Sequence, residues 1–185
     1  MVKDGYKQTD VGVIPDDWEV KDIGDIADVQ GGGTPSTTNN NFWHGEINWF
    51  TPTEVGTTKY LTNSERKITK DGLDNSSAKL LPIGTILLTS RAGIGDCGIL
   101  TKIASTNQGF QSLIPNPNVN NEFVYYLVLT LKEKLLQKAS GSTFLEISPN
   151  NVKKVQIPIP PKEEQKAIAT ALSDTDELIN SLEKL

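Results

Sequence analysis

Residues Gly141–Leu185 decide most of the fold, and they read GSTFLEISPNNVKKVQIPIPPKEEQKAIATALSDTDELINSLEKL. Within them, Ser148 followed by Pro149 is typical of a helix N-cap with proline in the first turn. The run 155–161 begins with β-forming residues and ends in prolines, which cannot donate to a sheet and favour extended geometry in the residue before them. Residues 162–185 contain neither Gly nor Pro and are rich in good helix formers. The pattern predicts a short strand, a stiff linker and one long terminal helix.

The terminal helix carries an apolar seam. Its members follow one another by four, three, four and three positions, which is the a/d spacing of a heptad. An amphipathic helix folded back onto its own domain would show a similar stripe. The proline lead-in, which would hold the helix away from the body, and the continuation of the stripe to the last residues favour a second chain as the partner. Both interpretations, folding back onto the domain and pairing with a second chain, stay open. The seam residues are Ile168, Leu172, Thr175, Ile179 and Leu182.

The segment 141–172 resembles the conserved segment that follows a target recognition domain in specificity subunits of Type I restriction-modification systems. It has that family's Gly-Ser/Thr-Thr turn, its short strand ending in proline, and its motif Pro-Pro-x-x-Glu-Gln at residues 160–165 before a long helix. Further stretches also fit, in the family's order: VGVIPDDWEVKDIGDIADVQGGGTPS, LLTSRAGIG and NQGFQSLIPN. The resemblance therefore spans nearly the whole chain.

The resemblance implies a fold class and the separate roles of this chain and its partner subunits. The fold class would be α/β (α+β), with a DNA-binding target recognition domain of small twisted sheets and short helices over residues 1–157. A coiled-coil-type spacer and dimerisation helix would follow over residues 158–185. Specificity subunits carry two such units per chain, so this chain resembles a half-length subunit or a fragment. They hold modification subunits that methylate adenine with S-adenosylmethionine, and through these the restriction subunit, so the chain itself would be non-catalytic and bind no cofactor.

The composition limits the class of protein. A length of 185 residues suits one domain. Cys97 and His44 are the single residues of their types, so no internal disulfide can form and a structural zinc site, which needs three or four such ligands, is close to excluded. We also see no secretory signal and no apolar run of membrane-spanning length. The expectation is a cytoplasmic protein without a membrane partner.

The charge distribution qualifies the overall net charge of −5, which argues mildly against nucleic acid as a partner. Residues 1–30 hold three lysines and eight acidic residues, whereas residues 59–102 hold seven basic and four acidic residues. Acidic ends therefore surround a mildly basic middle. This arrangement fits a protein that gains part of its DNA affinity from a partner.

Candidate contacts to double-stranded DNA lie in polar segments and at isolated cations. The loop 31–41 is long and polar, and such loops are uncommon unless they are functional or disordered. Its Ser, Thr and Asn side chains could bond phosphates or base edges. The fork of Arg91 suits guanine or phosphate, but it could equally pair with an internal carboxylate. Amides near Gly109 could read adenine or simply complete a turn. The candidates are Thr34, Ser36, Thr37, Lys59, Lys67, Ser90, Arg91, Asn107, Gln108, Gln111, Ser142 and Thr143.

Two other motifs are interpreted as structural. Residues 93–98 formally match the nucleotide-binding pattern G-x-G-x-x-G, but that pattern must open a helix, and residues 99–103 continue as a strand. A glycine-rich hairpin is the better interpretation. Among the aromatic residues 42–50, Trp49 and Phe50 are expected in the core. Trp43 could stack on a base, although burial is favoured.

The seam predicts a two-fold dimer. Antiparallel pairing of the terminal helices would put two recognition domains at opposite ends with a symmetric footprint. A helix over residues 162–185 spans ~36 Å at ~1.5 Å per residue, close to one DNA turn of roughly 34–36 Å. A gapped palindromic target follows.

Two alternatives belong to other classes of protein. An enzyme would work through Cys97 or His44. A protein-interaction module would dock through the terminal helix and show no salt-dependent DNA affinity.

Overall fold

The structure, a computed structural model, describes residues 2–141 and 145–183. Its regular elements are runs of short strands separated by short helices, and one long helix ends the described chain. In chain order they are β1 Tyr6–Thr9, β2 Gly12–Pro15, β3 Glu19–Asp22, α1 Ile23–Ile26, β4 Ala27–Gly31, β5 Trp43–Phe50, β6 Tyr60–Leu61, β7 Arg66–Ile68, α2 Lys70–Asp74, β8 Ile86–Leu88, β9 Cys97–Leu100, β10 Ala104–Thr106, β11 Gln111–Pro115, α3 Asn121–Leu129, α4 Lys132–Lys138, α5 Pro149–Lys153, β12 Gln156–Ile159 and α6 Lys162–Leu182.

Two sheets make up most of the body, which we define as the described residues up to 160. One has five strands in the order β4-β11-β8-β9-β6, and the other has three in the order β10-β5-β7. Strands β8 and β9 are buried along their whole length, which explains their continuous apolar runs. Small sheets, short helices and a long terminal helix confirm the mixed α/β fold class.

A strand pair closes the body by joining its two ends. Strand β3 pairs antiparallel with β12, so that Glu19 lies opposite Ile159 although 140 positions separate them. The predicted division between residues 157 and 158 falls inside β12. As a functional division of the chain it stays a prediction, but the backbone pairing continues across it.

The main apolar core lies between the five-stranded sheet and the helices of the body. Side chains from β8, β9 and β11 meet α3 and the segment around α5 there. A second core, which contains Phe50 and Phe110, fills the space beside the same sheet, and Trp43 and Trp49 belong to a third. The expected burial of Trp49 and Phe50 is therefore confirmed.

The glycine-rich segment 93–98 is a hairpin, as predicted. It connects β8 to its antiparallel neighbour β9, and no helix follows it. Gly93 and Gly95 have φ values of 68° and 96°, a region that favours glycine. The segment therefore lacks the helix N-terminus that a dinucleotide-binding turn requires.

The motif Pro-Pro-x-x-Glu-Gln fixes the start of α6 on the body. The buried amide of Gln165 accepts a hydrogen bond from the backbone N–H of Asn120 (2.9 Å) and donates one to the carbonyl of Pro160 (3.0 Å). The neighbouring Glu164 accepts a hydrogen bond from Trp18 Nε1 (3.1 Å). Both motif side chains therefore hold the helix to segments distant in sequence.

We expected the proline lead-in to hold the terminal helix away from the body, and this expectation is wrong for the first half of α6. The first half of α6 packs on α3, and its residues Ile168 and Ala169 join the main core. The later seam residues differ: Leu172, Ile179 and Leu182 are 39%, 49% and 59% exposed. The helix is thus folded back over its first half and exposes an apolar stripe over its second. Every helix in the described ranges 2–141 and 145–183 is too short or too polar to span a bilayer.

Candidate nucleic-acid interface

Two tryptophans hold the polar loop that follows β4. Trp49 Nε1 donates to the carbonyl of Gly33 (2.9 Å), and Trp43 Nε1 donates to the carbonyl of Ser36 (3.0 Å). The two rings meet edge to face, with centroids 5.1 Å apart. Because the indoles bind its backbone, the loop has a defined path along the surface. The candidate side chains Thr34, Ser36 and Thr37 remain exposed on it.

Close backbone packing brings a second candidate segment beside this loop. A Cβ added to Gly32 would collide with the carbonyl of Asn107, so only glycine permits this approach. Thr34 Oγ1 donates to Gln108 Oε1 (2.6 Å), and Asn107 Oδ1 accepts from the backbone N–H of Gly109 (2.8 Å). The structure therefore brings Thr34, Asn107 and Gln108 together, with Gln108 exposed and Asn107 partly engaged in the turn.

Three further candidates lie where the inner strands of the five-stranded sheet begin or end: Ser90 and Arg91 follow β8, and Gln111 begins β11. The backbone N–H of Ser90 donates to the carbonyl of Gly109 (2.8 Å), and Gln111 lies opposite Gly31 in the β4–β11 register. The side chains of Ser90 and Gln111 are buried, so neither presents its polar group on the surface. Arg91 is exposed, and its Nε forms an ion pair with Glu146 Oε2 (3.1 Å). The sequence left two roles open for Arg91, pairing with a carboxylate or contacting DNA. The structure shows the carboxylate pair, and the DNA contact stays a prediction.

Arg66 is a cation that the list of candidates missed. Its guanidinium carbon lies 3.7 Å from the ring centroid of Trp43 and 5.2 Å from that of Trp49, and the side chain is exposed. Trp43 is itself buried, with Arg66 stacked over its ring, so the structure supports burial of this tryptophan rather than base stacking. The candidate Lys67 follows Arg66 on β7 and is partly buried. In the sequence, Arg66 stands out only as the first residue of an Arg-Lys pair. Its place over the tryptophans depends on the β5–β7 register, which puts Arg66 opposite Trp49.

Lys59 does not join this cluster. Its side chain is 13% exposed, lies between α3 and α6, and forms an ion pair with Glu122. Burial alone would lower the pKa of Lys59, but hydrogen bonds with Glu122 and Tyr126 raise it above its ordinary value. The ammonium is therefore charged and already paired inside the protein. The candidates Ser142 and Thr143 lie outside the described residues.

We define the recognition face as the polar loop 33–37, the turn 107–109 and the strand residue Arg66; Lys67, the next residue on β7, points to the other side of the strand. The face combines hydroxyl and amide groups with the guanidinium of Arg66 on a tryptophan-supported framework, a set that suits phosphate and base contacts. That these residues contact DNA stays a prediction.

The features expected of an enzyme are weak by comparison. The thiol of Cys97 is 1% exposed, and burial raises its pKa to about 12, with the Asp96 charge adding to the effect. Since the thiolate is the nucleophile, such a cysteine is unreactive near neutral pH. The described part of the chain also holds no group of three or more His, Cys, Asp or Glu residues that could bind a metal ion.

Comparison with known proteins adds independent evidence. Residues 15–185 match the family described as Type I restriction modification DNA specificity domain. The chain is 45% identical, over 97% of its length, to the Type I restriction enzyme MjaIX specificity subunit of Methanocaldococcus jannaschii. It is 32% identical, over 89% of its length, to the EcoR124I/EcoR124II specificity subunit of Escherichia coli. Each match covers 42% of the relative, so the chain spans about two fifths of the length of these relatives.

Solved structures share the fold. The crystal structure of the HsdS subunit from Thermoanaerobacter tengcongensis superposes with a TM-score of 0.73 at 19% identity, covering 97% of this chain and 42% of that one. A chain from a study of complex assembly and conformational transition of the type I R-M system gives a TM-score of 0.74 at 24% identity, covering 92% of this chain and 41% of that one. At such identities the likeness is one of fold.

Proposed function

We propose, from the premise that the chain belongs to the Type I restriction modification DNA specificity domain family, that it reads one half of a split DNA site for a restriction-modification enzyme. The observation that carries this proposal is the recognition face, where two tryptophans hold a polar loop beside the exposed Arg66. A supported loop loses less conformational entropy on binding than a free one. Residues of this face would therefore meet DNA in a prepared arrangement.

The two kinds of side chain on the recognition face have different roles in this proposal. The guanidinium of Arg66 supplies attraction to phosphates, which dominates DNA affinity and depends on salt. The hydroxyls of Thr34, Ser36 and Thr37 and the amides of Asn107 and Gln108 can bond backbone oxygens or base edges. The fork of Arg66, held by Trp43, also has the geometry to bind guanine O6 and N7.

Two copies of the chain would form the complete reader. The seam residues Leu172, Ile179 and Leu182 are exposed along the second half of α6, and Leu178 beside them is 60% exposed. An apolar stripe of this kind is stabilised when a second helix covers it. A two-fold axis near Thr175 would pair the helices antiparallel and place one recognition face at each end. The 21 residues of α6 span ~32 Å at ~1.5 Å per residue, near one DNA turn of roughly 34–36 Å.

Catalysis would belong to partner subunits. The chain would hold a modification subunit that binds S-adenosylmethionine and methylates adenine, and through it a restriction subunit. Its own contribution would be the choice of sequence. In this division of labour Cys97 and His44 take no part in chemistry.

The test is to co-express the chain with the modification subunit encoded beside it and to map methylated adenines across the host genome. A gapped palindrome is the expected result, because two identical faces read two identical half-sites. An asymmetric bipartite motif would contradict the homodimer and show that a second, different recognition unit takes part.

The second candidate function is a protein-interaction module that docks through the exposed stripe of α6 and does not bind DNA. An assembled complex that methylates nothing would favour it. A salt titration separates the two candidates further, since only a DNA reader loses affinity steeply as salt rises.

A further inference from the structure

A half-buried cation links the body to the first half of α6. Lys59, which precedes β6, extends its side chain between α3 and α6 and forms an ion pair with Glu122 of α3. Its Nζ also donates to Tyr126 Oη of α3 (3.2 Å) and to Ser173 Oγ of α6 (2.7 Å). The ring centroid of Tyr126 lies 4.6 Å from the ammonium, within the range of a cation–π interaction. One side chain thus touches both helices.

A second hydrogen bond completes the link. Tyr126 Oη donates to Asp176 Oδ2 of α6 (2.6 Å). We call Lys59, Glu122, Tyr126, Ser173 and Asp176 the polar latch. Polar contacts of this type are directional, so they constrain the rotation of a helix as well as its distance from the body. The latch therefore adds directional contacts, about one to two turns further along α6, to the apolar packing of Ile168 and Ala169.

The helix is anchored to the body by polar contacts at two levels. Gln165 binds the body at the start of α6, and Ser173 and Asp176 bind it eight and eleven residues later. At ~1.5 Å per residue the two levels are roughly 12–16 Å apart. Two separated anchors fix the direction of a rod, whereas a single anchor lets it pivot. From Leu178 to Glu183 the helix side chains are exposed.

We propose that the polar latch is a positioning device that sets the angle between the recognition face and the spacer helix, and so the distance between the two half-sites. The proposal rests on the proposed function. A pivot of ~10° about Gln165 would move Leu182, which is ~26 Å further along the helix, by ~4–5 Å. One base-pair step is ~3.4 Å. A helix freed from the latch would therefore tolerate gaps about one base pair longer or shorter.

The test variant is Tyr126→Phe with Ser173→Ala, which removes the bonds to α6 but keeps the Lys59–Glu122 ion pair. Keeping this pair avoids leaving a half-buried charge without its partner, which would destabilise the domain. The matched control is Tyr6→Phe with Ser181→Ala. It deletes the same two hydroxyl groups at an exposed strand residue and at an exposed helix residue outside the latch. If the double variant fails to fold, Ser173→Ala with Asp176→Ala replaces it, since this pair removes both bonds from the α6 side and leaves α3 and Lys59 intact.

The first measurement is the intramolecular distance between spin labels at Ile83→Cys on the body and Glu183→Cys near the end of α6, both exposed positions. Labelled chains are diluted into an excess of unlabelled chain, so a dimer contributes no intermolecular distance. The control should keep the narrow wild-type distance distribution and the latch variant should broaden it. An unchanged distribution in the folded latch variant would overturn the latch.

The second measurement is the length of the gap in the methylated motif. We expect the latch variant to methylate sites with neighbouring gap lengths, while the control keeps a single gap. A single wild-type gap in the latch variant, with a broadened label distance, would refute the role in spacing. A motif without any gap would instead contradict the proposed function, and the label distance would still decide whether the latch orients the helix.

Discussion

Replacement of Arg66 tests the recognition face most directly. Arg66→Ala removes a guanidinium that stacks 3.7 Å from the centroid of Trp43 at an exposed position. An exposed cation–π contact contributes about 0.5–1 kcal/mol to stability. The variant should therefore unfold only slightly more easily than the wild type, and any larger effect on DNA binding must come from lost contacts to DNA.

The expected loss of affinity depends on what Arg66 contacts. A bidentate contact to guanine is worth ~1–3 kcal/mol, which corresponds to a loss of roughly 5–150-fold confined to targets with that guanine. A phosphate contact would instead weaken binding to all sequences and reduce the salt slope by about 0.9. Arg66→Lys separates the two, because lysine keeps the charge but not the fork.

The assay is fluorescence anisotropy of a labelled target duplex with the complex of this chain and its modification subunit, over a range of salt concentrations. Lys166→Ala is the control, since it also removes one charge but from an exposed pair with Glu163 on α6. If folded Arg66→Ala had the same affinity and the same sequence preference as the control, Arg66 would have no role in recognition. The recognition face as defined here would then be wrong.

Three further predictions concern the support of the loop, the seam and the cysteine. Trp49→Phe leaves the Gly33 carbonyl without its indole donor, so we expect the free energy of unfolding in urea to fall by about 1–3 kcal/mol. An unchanged midpoint would show that this hydrogen bond does not stabilise the fold. Ile179→Glu should convert dimers to monomers in sedimentation and abolish methylation of the palindrome, whereas a persistent dimer would place the interface elsewhere. Cys97 should resist alkylation at pH ~8 in the folded protein and react in denaturing urea. Because its pKa is raised to about 12 by burial, its ionisation in the unfolded chain should erode stability as pH rises from about 9 towards 12, and Cys97→Ala should flatten that slope; rapid native labelling would contradict its burial.

Local features of the chain were predictable because they depend on backbone preferences within a few residues. Pro160 and Pro161 end β12, and the absence of Gly and Pro from residue 162 onward permits α6. The glycine-rich hairpin at 93–98 was separable from a nucleotide-binding turn because a strand pattern follows it. The order of motifs along the chain was enough to indicate the family.

The candidate site was only partly predictable. The polar loop and the amide turn were found from composition, and the structure places them side by side. Arg66 was missed, and the ion pair of Lys59 with Glu122 was not foreseen, because a cation looks the same in sequence whether it stacks on an indole, pairs with a carboxylate or faces solvent. Which of these occurs depends on the register of β5 with β7 and on the packing of α6 against α3.

The sequence by itself determined the mixed fold class, the terminal helix and the membership of a DNA specificity family. Only the tertiary structure decided that α6 is folded back over its first half and exposed over its second, and that β3 and β12 join the two ends of the body. Heptad spacing records that one face of a helix is apolar, and folding onto the body or pairing with another chain can cover that face equally well. The choice is made by contacts between residues far apart in the chain, such as Gln165 with Asn120 and Ser173 with Lys59, which no local pattern encodes.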